Sequence, residues 1–268
     1  GTNGVPLGQA TKKDLVMTTT TADTPVTIRK VGLLRPFHWL KVGWQDFMTH
    51  PGPSLMYGIL VTVAGWAIVT LAAPHAELFS TVISGFVLVA PLIAAGIYEL
   101  TRQRDAGEPA SFLNSIRSLK RTKGSIADFG IVLILAGILW ERAAAVMFAL
   151  SYGGDMGNAQ DFVKEVFLSG KYWTVVIAWL VSGMLLASFI FCITVIGMPM
   201  VVDRNADIVT AMITSVRTVF ANLPAMMLWA GLIVLLTGLG MATALLGLIV
   251  IMPLLGHATW CAYKDLVQ

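Results

Sequence analysis

The stretch Trp173–Met200, WTVVIAWLVSGMLLASFIFCITVIGMPM, runs for 28 positions without a charged side chain. A helix of about 20 apolar residues crosses the hydrocarbon core of a bilayer, so this segment alone points to a membrane span. Five further stretches read the same way: Ser54–Ala73, Leu78–Leu100, Ile126–Leu150, Ala225–Leu239 and Gly240–Ala262. The last two meet at Thr237-Gly238-Leu239-Gly240, where the glycines predict a tight turn. The expected fold is all-α, a polytopic membrane protein with six transmembrane helices.

Composition agrees. Of 268 residues, 56% are hydrophobic and 12% charged, against about 25% charged in soluble domains. Mean hydropathy is +0.77. The net charge of +3 is small, and no basic domain interleaved with aromatics suggests nucleic acid. The lipid bilayer is the expected surrounding. Cys192 and Cys261 each fall inside a span, with no CxxC motif and no disulfide framework. Residues 1–34 read as a polar N-terminal tail, and residues 1–30 lack the basic-then-apolar pattern of a signal peptide.

Three short segments precede spans and end in a Pro or Gly break, at His50-Pro51-Gly52-Pro53, Lys123-Gly124 and Asn222-Leu223-Pro224. Pro36–Thr49 places Phe37, Leu40, Trp44, Phe47 and Met48 roughly on one helical face, with Lys41 and Asp46 elsewhere. Ser111–Thr122 and Ile208–Phe220 are comparable, the latter through Ile208, Met212, Val216 and Val219. Such helices either lie in the interface with the apolar face in lipid or pack on the ends of the chain's own spans. Setting Phe47 on Phe220 places Pro51 on Pro224, and Arg117 aligns with Arg217. The expected architecture is three repeated units, surface helix plus transmembrane hairpin, at about 35–101, 110–200 and 205–263, within a membrane domain of 35–268. The second span of each unit carries a proline (Pro91, Pro199 or Pro253), where a bend is expected because proline deletes a backbone bond.

Lys and Arg set the orientation. With the N-terminus in the cytoplasm, fifteen of them fall on the inner side and two, Lys164 and Lys171, on the outer. Both termini are expected in the cytoplasm. The outer loop Ser151–Tyr172 is expected to hold a turn at Gly153–Asn158 and a short amphipathic helix over Gln160–Leu168.

Three motifs in order, Ala90-Pro91-Leu92-Ile93-Ala94-Ala95-Gly96-Ile97-Tyr98-Glu99-Leu100, then Pro199-Met200-Val201-Val202-Asp203-Arg204 with Thr210-Ala211-Met212, then Pro253-Leu254-Leu255-Gly256-His257-Ala258-Thr259-Trp260, resemble the bacterial family named domain of unknown function 2189. The resemblance runs from about Arg35 to the end of the sequence. Cys261 departs from it, since many members carry His after the Thr-Trp pair. The resemblance implies a multi-pass protein of the bacterial inner membrane and no assigned activity. Some members are labelled cytochrome c oxidase components, which implies a respiratory complex as partner.

Polar groups at membrane depth are costly and are the site candidates. Glu99 and Asp203 end the second and fourth spans, where they either pair with Arg102 and Arg204 or gate a vestibule. Glu141 lies about 22 Å along a core of about 30 Å, and Arg142 points about 100° away from it, so each needs a separate partner or snorkels outward. Their readings are a structural clamp, a proton or ion relay, or docking onto another membrane subunit. His257 and Cys261 share a face, but two ligands are too few for zinc. No second intramembrane histidine brackets a haem, His38, His50 and His75 lying outside the spans. His257 is expected to hydrogen-bond a neighbouring helix or a carbonyl freed by Pro253. No cofactor, metal or catalytic residue is expected, and no nucleophile-elbow pattern is present. The expected function is a non-catalytic accessory or assembly subunit of a larger membrane complex, with other integral subunits as partners. A transporter or channel for a small solute, lipid or ion is the alternative, suggested by the repeat and the prolines.

Overall fold

In the computed structural model, described over residues 26–49, 51–72, 79–151 and 164–268, the apolar stretches fold as helices. Readings that fall on residues 1–25, His50, His75 and Gly153–Asn158 lie outside the described residues. In chain order the elements are α1 (Arg35–Thr49), α2 (Pro51–Ala72), α3 (Phe79–Asp105) and α4 (Phe112–Ser118), which continues as a 3-10 turn (Leu119–Thr122) into α5 (Lys123–Ser151). A π-type turn over Lys164–Leu168 precedes α6 (Trp173–Thr194), α7 (Gly197–Arg204), α8 (Ile208–Ala221), α9 (Leu223–Ala242) and α10 (Leu248–Leu266). Among the described residues every regular element is helical, apart from one isolated bridge between Ile28 and Val267.

Four of these segments are long and apolar enough to cross a membrane: Pro51–Leu71, Phe112–Leu150, Trp173–Arg204 and Leu223–Ala242. Their surfaces suit lipid, with Ile134, Leu135 and Leu139 of α5 and Met184 and Leu185 of α6 exposed. The protein is thus helical, with several apolar helices of spanning length.

Helix α10 differs from them. Its second half carries His257, Thr259, Lys264 and Asp265, and almost all of it is enclosed, from Pro253 and Leu255 through Trp260 and Tyr263 to Leu266. Those polar groups would be costly against acyl chains, and burial among α1, α2, α3 and α9 provides partners for them instead. Two glycines set how closely the neighbours approach. A Cβ on Gly43 of α1 would lie 2.7 Å from the Cβ of Ala258. On Gly58 of α2 it would overlap the carbonyl oxygen of Ile249, the group left without its helical donor by Pro253. The two helix backbones therefore meet at the proline-freed carbonyl.

Two sequence expectations need correction here. The turn between the last two apolar helices is at Thr243–Gly247, with Ala244 and Leu245 in the left-handed region (φ 52° and 69°), and not at Thr237–Gly240. Gly238 and Gly240 lie inside α9. Gly240 serves close packing, because a Cβ there would meet Leu248 Cδ2 at 2.6 Å. Pro199 does not bend a continuous fourth span. The helix breaks before it, at Val195–Ile196, and Pro199 occupies the first turn of α7, where its missing N–H has no helical partner to lose. Pro91 and Pro253 do lie inside helices, α3 and α10.

The break is held open from outside. In an unbroken helix the Ile196 N–H would bond the Cys192 carbonyl. Here the fully buried Ser215 hydroxyl of α8 takes both places, accepting from Ile196 N at 3.2 Å and donating to Cys192 O at 2.7 Å. A side chain inserted into the helical ladder is a recognised cause of a kink.

The short helices α1, α4 and α8 match the three expected surface segments, and each is apolar on two sides. Helix α1 buries Trp39, Gly43 and Phe47 against the bundle and exposes Phe37, Trp44 and Met48. Helix α8 buries Ala211, Ser215 and Val219 and exposes Val209, Ile213 and Phe220. The single face drawn from the sequence of α1 is thus divided, Phe47 inward and Trp44 outward. Packing on the bundle and an outward apolar face are both present.

Residues 26–34 are tied to the helical body. Thr27 and Gln268 exchange backbone bonds at 3.1 Å, and Arg29 N donates to Leu266 O at 2.9 Å. The buried Asn222 side chain clasps the same segment, accepting from Val31 N at 2.8 Å and donating to Arg29 O at 3.0 Å.

Candidate functional site

The first turn of α2, the last turns of α3 and the middle of α10 bring Ser54, Thr101 and His257 together. All three are buried in an otherwise apolar setting, so each hydroxyl and ring nitrogen needs a partner. His257 Nε2 lies 2.9 Å from Ser54 Oγ, and Nδ1 lies 2.7 Å from Thr101 Oγ1. The Thr101 hydroxyl donates to the Ile97 carbonyl at 3.1 Å, which leaves its oxygen able to accept from Nδ1–H, while the roles in the Nε2–Ser54 contact follow the ring tautomer. The expected bond from His257 to a neighbouring helix is therefore made twice. The carbonyl freed by Pro253 faces Gly58 instead.

This trio borders a narrow cleft of about 10 Å³, room for about one water molecule, whose other walls include Asp46, Leu100 and Arg104. Arg104 bonds Asp46 of α1 and Asp105, and Asp105 accepts from the Trp260 indole at 3.0 Å. Asp46, which the sequence placed away from the apolar face, is half-buried. Burial pushes its carboxyl up, against the hydrogen bond from Arg104. A serine at hydrogen-bond distance from a histidine invites comparison with acyl-transfer pairs. The third member here is the Thr101 hydroxyl, where acyl-transfer pairs carry a carboxylate. What the arrangement does is tie α2, α3 and α10 together.

Glu99 is fully enclosed on α3 and bonds Arg102 through both oxygens at 2.8 Å, with Gln103 Nε2 at 3.2 Å. Arg121, beyond α4, reaches the same carboxylate at 3.5 Å and donates to Val202 O at 2.7 Å. The pair with Arg102 is as expected, while the burial and the second arginine are not. Asp203 accepts from the Tyr263 hydroxyl at 2.8 Å and from Lys264 at 3.0 Å, whereas Arg204 stands 4.0 Å away and donates to Tyr263 at 3.1 Å. Glu99 and Asp203 thus have separate ion partners, and Arg121 bonds Glu99 together with the backbone carbonyl of Val202, the neighbour of Asp203 in the chain.

A third cluster escaped the sequence reading. Asp265 accepts from Arg35 Nε at 2.6 Å, from the Trp39 indole at 2.9 Å and from Arg29 at 2.9 Å. It lies beyond the apolar stretch that ends at Ala262. Burial opposes its charge, yet the bonds from Arg35 and Trp39 prevail and hold its carboxyl below the usual range. Trp39 also meets Trp229 edge-on, with ring centroids 5.8 Å apart. Ser54, Thr101, Ser215 and Asn222 were likewise missed. Their one signal was a small polar residue inside or at the edge of an apolar stretch.

Glu141 and Arg142 lie on α5, remote in sequence from all of these. Glu141 is half-buried. Arg142 is exposed, in a row with exposed Leu135, Leu139 and Val146. Cys192 and Cys261 are free thiols. Among the described residues no group of three or more His, Cys, Asp or Glu could hold a metal.

Residues 78–203 match the model of a family described as "Predicted integral membrane protein (DUF2189)". The resemblance read from the motifs holds over that range, which contains the first motif and most of the second. The third, Pro253–Trp260, lies beyond it. No curated protein and no solved structure matches the chain.

Proposed function

We propose that this is a non-catalytic accessory or assembly subunit of a larger membrane complex, with a respiratory oxidase as the first complex to examine. One observation carries the reading. Arg142 stands exposed in the Leu135–Leu139–Val146 row of α5, a surface otherwise suited to lipid. A bare charge costs about 3 kcal/mol at the centre of a span, and less toward the rim where Arg142 lies, unless it snorkels or is covered. A neighbouring integral subunit that offers a carboxylate or carbonyl covers it. The other charged groups raised by the sequence are already engaged within the chain: Glu99 with Arg102 and Arg121, Asp203 with Tyr263 and Lys264.

Six spans in three repeated units, both termini in the cytoplasm and residence in a bacterial inner membrane complete the proposal. The order of short helix before long apolar helix, at α1–α2, α4–α5 and α8–α9, supports the units. The Lys and Arg distribution supports the orientation. Fusions of a cytoplasm-active and a periplasm-active reporter at each connection test the topology.

Tagged protein drawn from its native membranes in mild detergent tests the function, read by mass spectrometry and a reduced-minus-oxidised haem spectrum. Stoichiometric co-purification that weakens in Arg142→Leu supports a docked subunit. A lone protein of normal abundance overturns it and turns attention to solute flux.

A further inference from the structure

One exposed stripe runs down α4 and its 3-10 extension at helical spacing: Leu113, Ile116, Arg117 and Lys120, followed by Lys123 where α5 begins. Its first two members are apolar and exposed, at 61% and 44%. The next three are exposed cations, and among the described residues no carboxylate is paired with them. The acids of this corner are mostly engaged elsewhere, Glu99 with Arg102 and Arg121 and Glu108 with Arg102 at 3.4 Å. Asp128, on the second turn of α5, is the exposed exception. Ser115 on the opposite side of α4 is buried and bonds the Tyr57 hydroxyl at 2.7 Å. That bond fixes which side of α4 faces outward.

The stripe leads directly into α5, part of a segment long and apolar enough to span. Its cations therefore sit at the level where a span leaves the hydrocarbon, with two large apolar side chains beside them. Phosphate-bearing headgroups occupy that level, and acyl chains begin just below it. We propose that this corner of α4 and α5 binds the headgroup of an anionic phospholipid, with Leu113 and Ile116 against its acyl chains. Charge complementarity and continuity with the span choose that occupant. The inference needs only that the chain lies in a membrane, and it stands whether or not a partner subunit exists.

Arg121 supplies an internal contrast. It sits among the three cations in sequence but turns inward to Glu99 and Val202 O, so it is structural.

The test uses the full chain in nonionic detergent, with phosphatidylglycerol, phosphatidylcholine or inorganic phosphate added separately. Lipid retention is read by native mass spectrometry and stability by the thermal midpoint. The wild type is expected to retain phosphatidylglycerol in preference to phosphatidylcholine and to lose that preference at high salt. Each cation near an anionic surface contributes about fivefold, so Arg117→Gln/Lys120→Gln/Lys123→Gln is expected to weaken retention roughly a hundredfold. Arg121→Gln is expected to lower the midpoint while keeping the lipid preference. Equal retention of the two lipids by the wild type overturns the proposal, as does a triple variant that keeps the preference. A midpoint rise with inorganic phosphate equal to that with phosphatidylglycerol assigns the stripe to free phosphate and overturns the lipid reading. If the triple variant does not fold, the wild-type lipid and salt comparison still decides.

Discussion

Replacing Ser215 with alanine removes one oxygen and takes away the bridge at the α6–α7 junction. The hydroxyl serves Ile196 N–H and Cys192 C=O, which would bond each other in a straight helix. Without it, either the two groups stay apart, buried and unpaired, or the helix closes on itself and swings α7 away. Interhelical hydrogen bonds inside membranes average about 0.6 kcal/mol, so two of them set a floor near 1 kcal/mol. Orphaned buried groups cost about 1–3 kcal/mol each, which sets the ceiling. The buried side chains of α7, Met198, Met200, Val201 and Val202, oppose the swing that would recover the backbone bond. We therefore expect a loss of about 2 kcal/mol for Ser215→Ala. Denaturant titration of the protein in mixed micelles, followed by tryptophan fluorescence, measures it. Pro199→Ala restores an N–H able to bond Val195 O and eases the junction toward a straight helix. The double variant should then lose less than the sum of the single ones, by about 1 kcal/mol. A Ser215→Ala variant within about 0.5 kcal/mol of wild type, the scatter of a substitution at an unimportant site, would refute the bridging role.

Glu99→Gln leaves Arg102 and the half-exposed Arg121 facing a neutral amide and is expected to cost about 1–3 kcal/mol, seen as a lower midpoint. Gly58→Ala drives a methyl group into the Ile249 carbonyl and should cost about 1–3 kcal/mol, whereas the same change at Gly52, which has open space around it, should be nearly silent. The Asp265 carboxyl is held below its usual value, so its contribution is fully present above the unfolded pKa of about 3.9 and is lost as pH falls through the lower folded value. Amide exchange in residues 26–34 should accelerate below pH 4 in the wild type, and Asp265→Asn should show the fast exchange at every pH.

The helical class and the positions of most apolar helices were legible because a run such as Trp173–Thr194 leaves no other outcome in lipid. The short helices were legible too, through their spacing and the breaks after them. What escaped has physical causes. Ala244 and Leu245 take left-handed conformations usually given to glycine, so the turn carries no signal, while Gly238 and Gly240 imitate one. Serine and threonine in apolar runs look alike whether they bond their own helix, as Ser182 does, or another, as Ser54 and Ser215 do. Glu99 and its nearest arginine were readable as neighbours in sequence. That Arg121 would join them depended on the fold bringing the end of α4 to α3. The partial polarity of α10 was visible in His257, Thr259 and Lys264, and it marks a helix surrounded by protein.

The packing of α1 on α10 also constrains biogenesis. The first described helix has its main partner in the last described one, and the strand-like contact of Thr27 with Gln268 joins residues 241 positions apart. Trp39, Gly43 and Phe47 must therefore wait, unburied, while every intervening helix is made and inserted. The outer apolar row of Phe37, Trp44 and Met48 gives α1 somewhere to rest in the meantime, against the membrane surface. Closure of this helical body waits on α10, and a chain cut short before that helix leaves an unshielded tryptophan face for quality control to find.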